Sequence, residues 1–422
     1  MRLAKEEQAI LAGQRGPAEK RALEIIVTLG RVYGAERLIP VTSVQVAGVS
    51  YRNLGDAGLE FLQDWAQEGA RVRVPTTLNP SGMDHEQWQR QGFSETFAAK
   101  QEQVLSAYQA MGIEPTCTCT PYEIGSRPRF GEHLAWSESS AVAYANSVIG
   151  ARSNREGGPS ALAAAICGRT AEYGLQCLEH RKATHRVEVY CRIRQPHEYA
   201  ALGYMIGAQV GDGVPYFVGL ELPPLPADNA EPTTATGGAT SDTLKLFGAA
   251  LASSGAVALY HIDGVTPEAR LWSEACPPNV ATIEIRSVQE AIAQLNHPIE
   301  RIDLVVIGCP HASLAELTEV AQLVRGKHLR SALWVTTARA IRRQAEEQGI
   351  LQVIELAGGL VIADGCVVVA PMHELAYRTL ATNSAKMASY ALPLAGLQVR
   401  FGSLECCLAA AISGTWGKDL AQ

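Results

Sequence analysis

The chain has 422 residues, 47% of them hydrophobic and 19% charged, enough for two or three domains with large cores and ordinary for an α/β protein. A formal net charge of −7 gives no electrostatic footprint for nucleic acid, and no apolar run approaches the ~18 residues of a membrane span, so neither partner is expected. The start, Met1-Arg2-Leu3-Ala4-Lys5-Glu6-Glu7, is charged and lacks the apolar stretch of a signal peptide; the expected compartment is the cytoplasm, where ten cysteines imply no disulfide framework.

In chain order, helical periodicity breaks at Gly13 to Pro17 and resumes from Glu19 to Gly34. A β-branched run over 37–46 ends in Ala47-Gly48-Val49-Ser50, and Leu59, Phe61, Leu62 and Trp65 then mark an amphipathic helix. Residues 71–75 read as the next strand, ending in Thr76-Thr77-Leu78-Asn79-Pro80-Ser81-Gly82, so 37–82 form one β-α-β unit. Its two polar strand tips read as ordinary βα loops; their place at a carboxyl edge is what makes them pocket candidates. A long helix is expected from His85 to about Ala110.

Residues 131–162 alternate small and polar side chains with few charges, which suits backbone packed around a polar cavity better than a surface helix. Arg152, Asn154 and Arg155 ahead of Gly157-Gly158-Pro159-Ser160 offer an anion site, with Ser160 capping the next helix. A Gly-rich loop with surface arginines accounts for the pattern equally well. The Pro/Gly-rich stretch 221–242 reads as a linker or long loop between an N-terminal α/β region, 1–220, and a C-terminal one, 243–422. Beyond it, expected helices 244–254, 288–295, 314–324 and 338–348 alternate with expected strands 257–261, 281–285, 302–307 and 333–336, implying a parallel sheet covered by helices. No GxGxxG follows a strand, and neither GxxxxGK[ST] nor HExxH occurs.

Chemistry concentrates in cysteines. Val305-Val306-Ile307-Gly308-Cys309-Pro310-His311-Ala312-Ser313 is an apolar strand that ends in a thiol; Pro310 should end its ladder and Ser313 should cap the following helix. Cys366 follows Asp364-Gly365 inside another apolar run, and Cys117 and Cys119 sit in a Pro-bounded polar loop. A free cysteine is usually a small buried hydrophobe, and that reading serves Cys167, Cys177, Cys191 and Cys276. Cys309 and Cys366 differ in occupying Gly-flanked turns. No CxxC zinc pattern is present, and three soft thiolates without a fourth suit an iron–sulfur cluster with one open iron better than closed structural zinc.

Together, Thr-Cys-Thr-Pro-Tyr-Glu, Gly-Glu-His-Leu-Ala-Trp-Ser-Glu-Ser-Ser-Ala, Asn-Ser-Val-Ile-Gly-Ala-Arg-Ser-Asn-Arg-Glu-Gly-Gly-Pro-Ser-Ala-Leu, Gly-Cys-Pro-His-Ala-Ser, Asp-Gly-Cys-Val-Val and Asn383-Ser384-Ala385-Lys386 resemble the large, catalytic portion of the aconitase X family almost end to end. The resemblance implies an aconitase-like α/β fold, several layers with largely parallel sheets around a cluster-binding cleft, and a hydro-lyase of the dehydratase type. It implies a 4Fe-4S cluster on Cys119, Cys309 and Cys366, with a 2Fe-2S cluster or mononuclear iron as alternatives. Cys117 and the Cys406-Cys407 pair leave local ambiguity. The implied substrate pocket draws on Gly48, Val49, Ser50, Asn79, Pro80, Glu138, Ser139 and Lys386, with Glu138 placed to hydrogen-bond the leaving group; Arg152 and Arg155 are added from the anion-site reading.

Enzymes of this kind carry a small swivelling domain with a serine base, and this chain ends at Gln422 without it, so a small swivel-domain subunit is the expected partner. One family branch dehydrates mevalonate 5-phosphate to an anhydro form, and another cis-3-hydroxy-L-proline. The Ser-Glu-Ser-Ser and Ser-Asn-Arg-Glu-Gly-Gly-Pro-Ser loops look closer to the former, and arginines at a Gly-rich helix entrance suit a phosphate better than an imino acid. A non-catalytic scaffold of the same fold is disfavoured by the retention of all three cysteines.

Overall fold

The structure, a computed structural model, describes residues 1–222 and 239–417. Most of the expected 221–242 linker lies outside the described residues. Three sheets are wholly parallel. The largest has five strands, in the order Leu360–Ala363, Ala332–Thr337, Leu304–Ala312, Thr379–Thr382, Gln398–Phe401. A four-stranded sheet runs His261–Ile262, Pro215–Val218, His185–Val189, Ala281–Ile285. A three-stranded one runs Thr76–Leu78, Ser43–Val46, Leu134–Trp136, and an antiparallel pair, Leu38–Pro40 with Arg169–Ala171, completes the set. Nine consecutive residues of the central strand Leu304–Ala312 are buried, the mark of a strand covered on both faces.

Local sequence explains the elements that flank the cysteines. Ser313 caps the helix Leu314–Val324: its Oγ accepts the Glu316 N–H at 3.2 Å, while Glu316 Oε2 accepts the Ser313 N–H at 2.9 Å, a reciprocal capping box. Gly308 has φ +95°, and a Cβ there would lie 2.1 Å from the Thr336 carbonyl oxygen, so glycine is required one residue before Cys309. Helix Pro196–Val210 packs on helix Ala239–Ser254 through Gly203 and Gly207, where a Cβ would meet backbone oxygens of the facing helix at 2.7 and 2.5 Å.

The sequence expectations need correction in several places. The run 37–46 is two strands in different sheets: Pro40 offers no N–H, and beyond it the N–H of Val41 turns to Gly168 and that of Thr42 to His133. Residues 71–75 are irregular, and the ladder of the β-α-β unit begins at Thr76. The helix expected over 85–110 breaks at Gly92, φ +83°, into Trp88–Gln91 and a Ser94-capped Glu95–Ala110. Of residues 257–261, His261 alone joins a ladder. Pro310 does not end the central strand: pairing lapses after Ile307 and resumes at Ala312. Cys366 lies beyond its strand, which ends at Ala363, and Val367–Val369 is a 3₁₀ turn. Gly157, not Ser160, is the N-cap of helix Gly158–Cys167.

Candidate active site

Loops at the carboxyl ends of strands from the three- and five-stranded sheets meet in one region. Ser50 Oγ, after Ser43–Val46, donates to the Val369 carbonyl at 2.7 Å. Past Thr76–Leu78, Ser81 bridges Gly365: its N–H reaches the Asp364 carbonyl at 2.8 Å, and its own carbonyl accepts the Cys366 N–H at 3.1 Å. The loops Gly48-Val49-Ser50 and Asn79-Pro80-Ser81 are therefore sewn to the Cys366 loop. Gln101 completes the seam, its Nε2 donating to the Val49 carbonyl at 2.9 Å. Asn79 Oδ1 is buried with no hydrogen-bond partner among the described residues. Among the described residues two non-glycines sit at positive φ, Cys117 at +41° and Asp364 at +63°, each next to a candidate loop; such backbone strain gathers at functional sites.

Glu138 and Lys386 form a buried ion pair beside these loops. Glu138 caps the short helix Ser139–Tyr144, accepting the Ala141 N–H at 2.7 Å and the Ser140 hydroxyl. Lys386, on helix Ala385–Tyr390, donates from Nζ to Glu138 Oε1, to Ser139 Oγ at 3.1 Å and to Ser140 Oγ at 3.4 Å. Burial pushes the Glu138 carboxyl up, but the Lys386 charge, its hydrogen bond and those from Ser140 and Ala141 outweigh it and hold the carboxyl below its ordinary value. Lys386 is correspondingly raised: burial opposes its charge, and Glu138, followed by Cys309 and Cys119, more than restores it. The resting pair is carboxylate and ammonium.

Cys119, Cys309 and Cys366 face that pair. Burial pushes all three thiols up, Cys309 to about 12, and each also feels the opposing charges of Glu138 and Lys386. After burial, Cys309 adds to the upward shift of Cys119, and Cys366 to that of Cys309. Cys117, fully buried, instead feels Asp364, Arg339 and Glu102, so the two cysteines of the Cys-x-Cys point to different surroundings. Cys407 packs in the core with Leu408 and Ala411. Among the described residues no three His, Cys, Asp or Glu side chains surround a single metal ion. The donor set is three soft thiols from three separate stretches of chain. That chemistry would suit an iron–sulfur cluster, which Cys119, Cys309 and Cys366 would hold.

The Arg152–Ser160 loop runs beside these elements, the Ser137 hydroxyl, next to Glu138, donating to the Gly157 carbonyl at 3.4 Å. Arg152 is near enough to perturb Glu268, Arg181 and Cys177, and its Nε is buried without a partner. Arg155 is exposed, its backbone bridging Trp136. The Ser160 hydroxyl donates to Glu156 at 2.6 Å and to the Gly157 carbonyl at 3.1 Å, so the chain's own buried carboxyl meets the first turn of the helix. A Cβ on Gly158 would lie 2.6 Å from the Ala47 carbonyl oxygen, so backbone closes over that turn.

One residue escaped the reading of the sequence. His311, inside Gly-Cys-Pro-His-Ala-Ser, donates its backbone N–H to Cys119 Sγ at 3.2 Å, and burial first of all lowers its imidazole to about 4, keeping it neutral. Its carbonyl accepts from Lys245 Nζ at 3.0 Å, and that lysine also meets Glu316 at 2.6 Å, Asp242 at 3.1 Å and Glu123 at 3.4 Å. A histidine two residues from a candidate ligand cysteine was the available signal.

Residues 1–179, 183–293 and 302–413 match the models of the first, second and third domains of aconitase X. The chain is similar to the phosphomevalonate dehydratase large subunit of Methanothermobacter thermautotrophicus, 48% identical over 94% of this chain and 95% of the relative, and to that of Thermococcus kodakarensis, 46% identical over 96% and 98%. It is 36% identical to the cis-3-hydroxy-L-proline dehydratase of Pseudomonas aeruginosa, over 98% of this chain and 70% of that protein. The crystal structure of Thermococcus kodakaraensis aconitase X in its holo-form shares the fold with a TM-score of 0.87 at 45% identity, covering 97% of this chain and 100% of the other. By sequence over nearly its whole length, and by fold, this chain belongs to the aconitase X family.

Proposed function

We propose that the chain is the large subunit of a phosphomevalonate dehydratase, a hydro-lyase that removes water from mevalonate 5-phosphate to give anhydromevalonate phosphate. The observation that carries the reading is the meeting of three thiols with a buried Lys386–Glu138 pair in one region, in a chain 44–48% identical to four relatives of that name. An iron–sulfur cluster on Cys119, Cys309 and Cys366, of the 4Fe-4S type, would supply a Lewis acid for the departing hydroxyl.

The chain's own side chains do the rest of the positioning. Lys386 presents a positive charge for the substrate carboxylate, which displaces the weakly held Ser139 and Ser140 hydroxyls. Glu138, kept as a carboxylate, accepts a hydrogen bond from the substrate and orients it. The unpaired Asn79 Oδ1 gains a partner when a substrate hydroxyl donates to it. Elimination also needs a base for the carbon-bound proton, and a serine of a small swivel-domain subunit is assigned that role. The shared name "large subunit" among the relatives supports a second polypeptide, as does the additional length of the hydroxyproline dehydratases beyond the 70% matched here. The preference for a phosphorylated substrate rests on these relatives.

The test is turnover of mevalonate 5-phosphate and cis-3-hydroxy-L-proline by this chain, alone and co-expressed with its small subunit. Activity from the complex, with mevalonate 5-phosphate preferred, is expected. Full activity from the isolated chain overturns the two-subunit arrangement, and preference for the imino acid overturns the substrate.

A further inference from the structure

His311 is buried, 1% exposed, where the three cysteine-bearing loops meet. Its Nε2 lies 3.0 Å from the carbonyl oxygen of Gly365, the residue before Cys366, and its Nδ1 lies 3.0 Å from Oγ1 of Thr118, the residue before Cys119. Its own backbone continues from Cys309 through Pro310 and donates to Cys119 Sγ. These contacts fix the tautomer. A carbonyl only accepts, so Nε2 carries the hydrogen; Nδ1 then accepts, and the Thr118 hydroxyl is the donor. That hydroxyl oxygen in turn accepts the Thr120 N–H at 3.1 Å, closing the Cys119 loop on itself. Behind the ring, Lys245 holds the His311 carbonyl while bound to Glu316, which caps the next helix, so the turn cannot shift without disturbing that helix.

We propose that His311 is a positioning residue, touching neither substrate nor reacting atoms, whose imidazole clamps the Cys119, Cys309 and Cys366 loops at the spacing that a cluster needs. The inference rests on the cluster assignment proposed above. The three thiols come from separate stretches of chain, the first 190 residues before the second. A rigid inorganic group tolerates only small errors in the placement of its donors. One ring bonded to two loops and built into the third makes their displacements interdependent. Groups that orient ligands from outside the coordination sphere are worth roughly ten- to a hundred-fold in metal affinity.

The experiment compares His311→Gln with His311→Leu in the full chain, reconstituted anaerobically with iron and sulfide. The glutamine amide restores one donor and one acceptor, and leucine restores neither. Two readouts are taken: the rate at which bound iron is lost to a chelator, and hydrogen exchange of the iron-free protein over residues 116–120 and 364–368. His311→Leu is expected to lose iron roughly ten- to a hundred-fold faster, with faster exchange in both loops, while His311→Gln stays within about threefold of the unsubstituted chain. Thr118→Val, which removes the Nδ1 partner and leaves the ring, should move both readouts less and in the same direction. Unsubstituted behaviour of His311→Leu in both readouts, or a His311→Gln no better than His311→Leu, overturns the clamp. An unsubstituted chain that binds no iron overturns the cluster reading instead, and loop exchange in the iron-free proteins still tests the clamp.

Discussion

Lys386 and Lys245 both come to the turn that carries Cys309 and His311, and both are withdrawn from water, their side chains 11% and 1% exposed. Among the described residues Lys386 has one ion-pair partner, Glu138, and it also donates to two serine hydroxyls. Lys245 has three carboxylates around it, Glu316, Asp242 and Glu123, besides the His311 carbonyl. A buried ammonium must be paired, and the kind of pairing separates the two. Hydroxyls can be exchanged for a substrate carboxylate. A surrounding cage of carboxylates leaves nothing to exchange. On the function proposed above, Lys386 binds substrate and Lys245 holds the turn beneath it.

Perturbing the two regions should break them differently. The largest effect is expected at the thiols that Lys386 faces: Cys309→Ala or Cys366→Ala should lower turnover about a thousandfold or more, the scale of a lost Lewis acid, with the far-UV circular dichroism unchanged. Lys386→Met should follow, lowering kcat/KM by roughly a hundred- to a thousand-fold, as expected for one charged donor in a closed site, while the protein still folds. Lys245→Met should reverse the balance, destabilising the protein by about 3–5 kcal/mol because three carboxylates lose their cation, which thermal unfolding would register. Equal stability losses in the two lysine variants would dissolve the distinction.

The carboxylate cage also gives a pH signature. Burial pushes Glu316 up to about 7, over the opposing pull of Lys245. A carboxyl raised in the folded state binds its proton more tightly there than in the unfolded chain, so its contribution to stability is fully present below the ordinary carboxylate range and is lost as pH rises through about 7. Glu316→Gln should flatten the melting temperature between about pH 4 and 7 by a few degrees relative to the unsubstituted chain. The smallest effect is expected at Arg152→Ala, less than about threefold in KM, since its side chain lies by Glu268 and Arg181. A tenfold rise in KM confined to the phosphorylated substrate would return the Arg152–Ser160 loop to the binding site.

Much of this architecture is readable in the sequence because its causes are local. The helix Leu314–Val324 declares itself through the Ser313–Glu316 capping box, and the β-α alternation beyond residue 280 through apolar periodicity. The tips at Gly48–Ser50 and Asn79–Ser81 were identifiable because a parallel sheet gathers its carboxyl-edge loops on one side. The errors arose where distant partners decide. The split of 37–46 between two sheets depends on Gly168 and His133, and the absence of a strand at 71–75 on where the neighbouring ladder begins. His311 was hidden for the same reason: its hydrogen-bond partners Thr118 and Gly365 lie 193 and 54 residues away.

The central claim is that three thiols hold a cluster beside Lys386 and Glu138, and the most direct test is the iron and acid-labile sulfide content of anaerobically reconstituted protein with each cysteine replaced in turn. The unsubstituted chain and Cys117→Ala should bind both, and Cys119→Ala, Cys309→Ala and Cys366→Ala should each lose most of them. Full iron and sulfide in any of those last three, or none in the unsubstituted chain, would contradict the assignment.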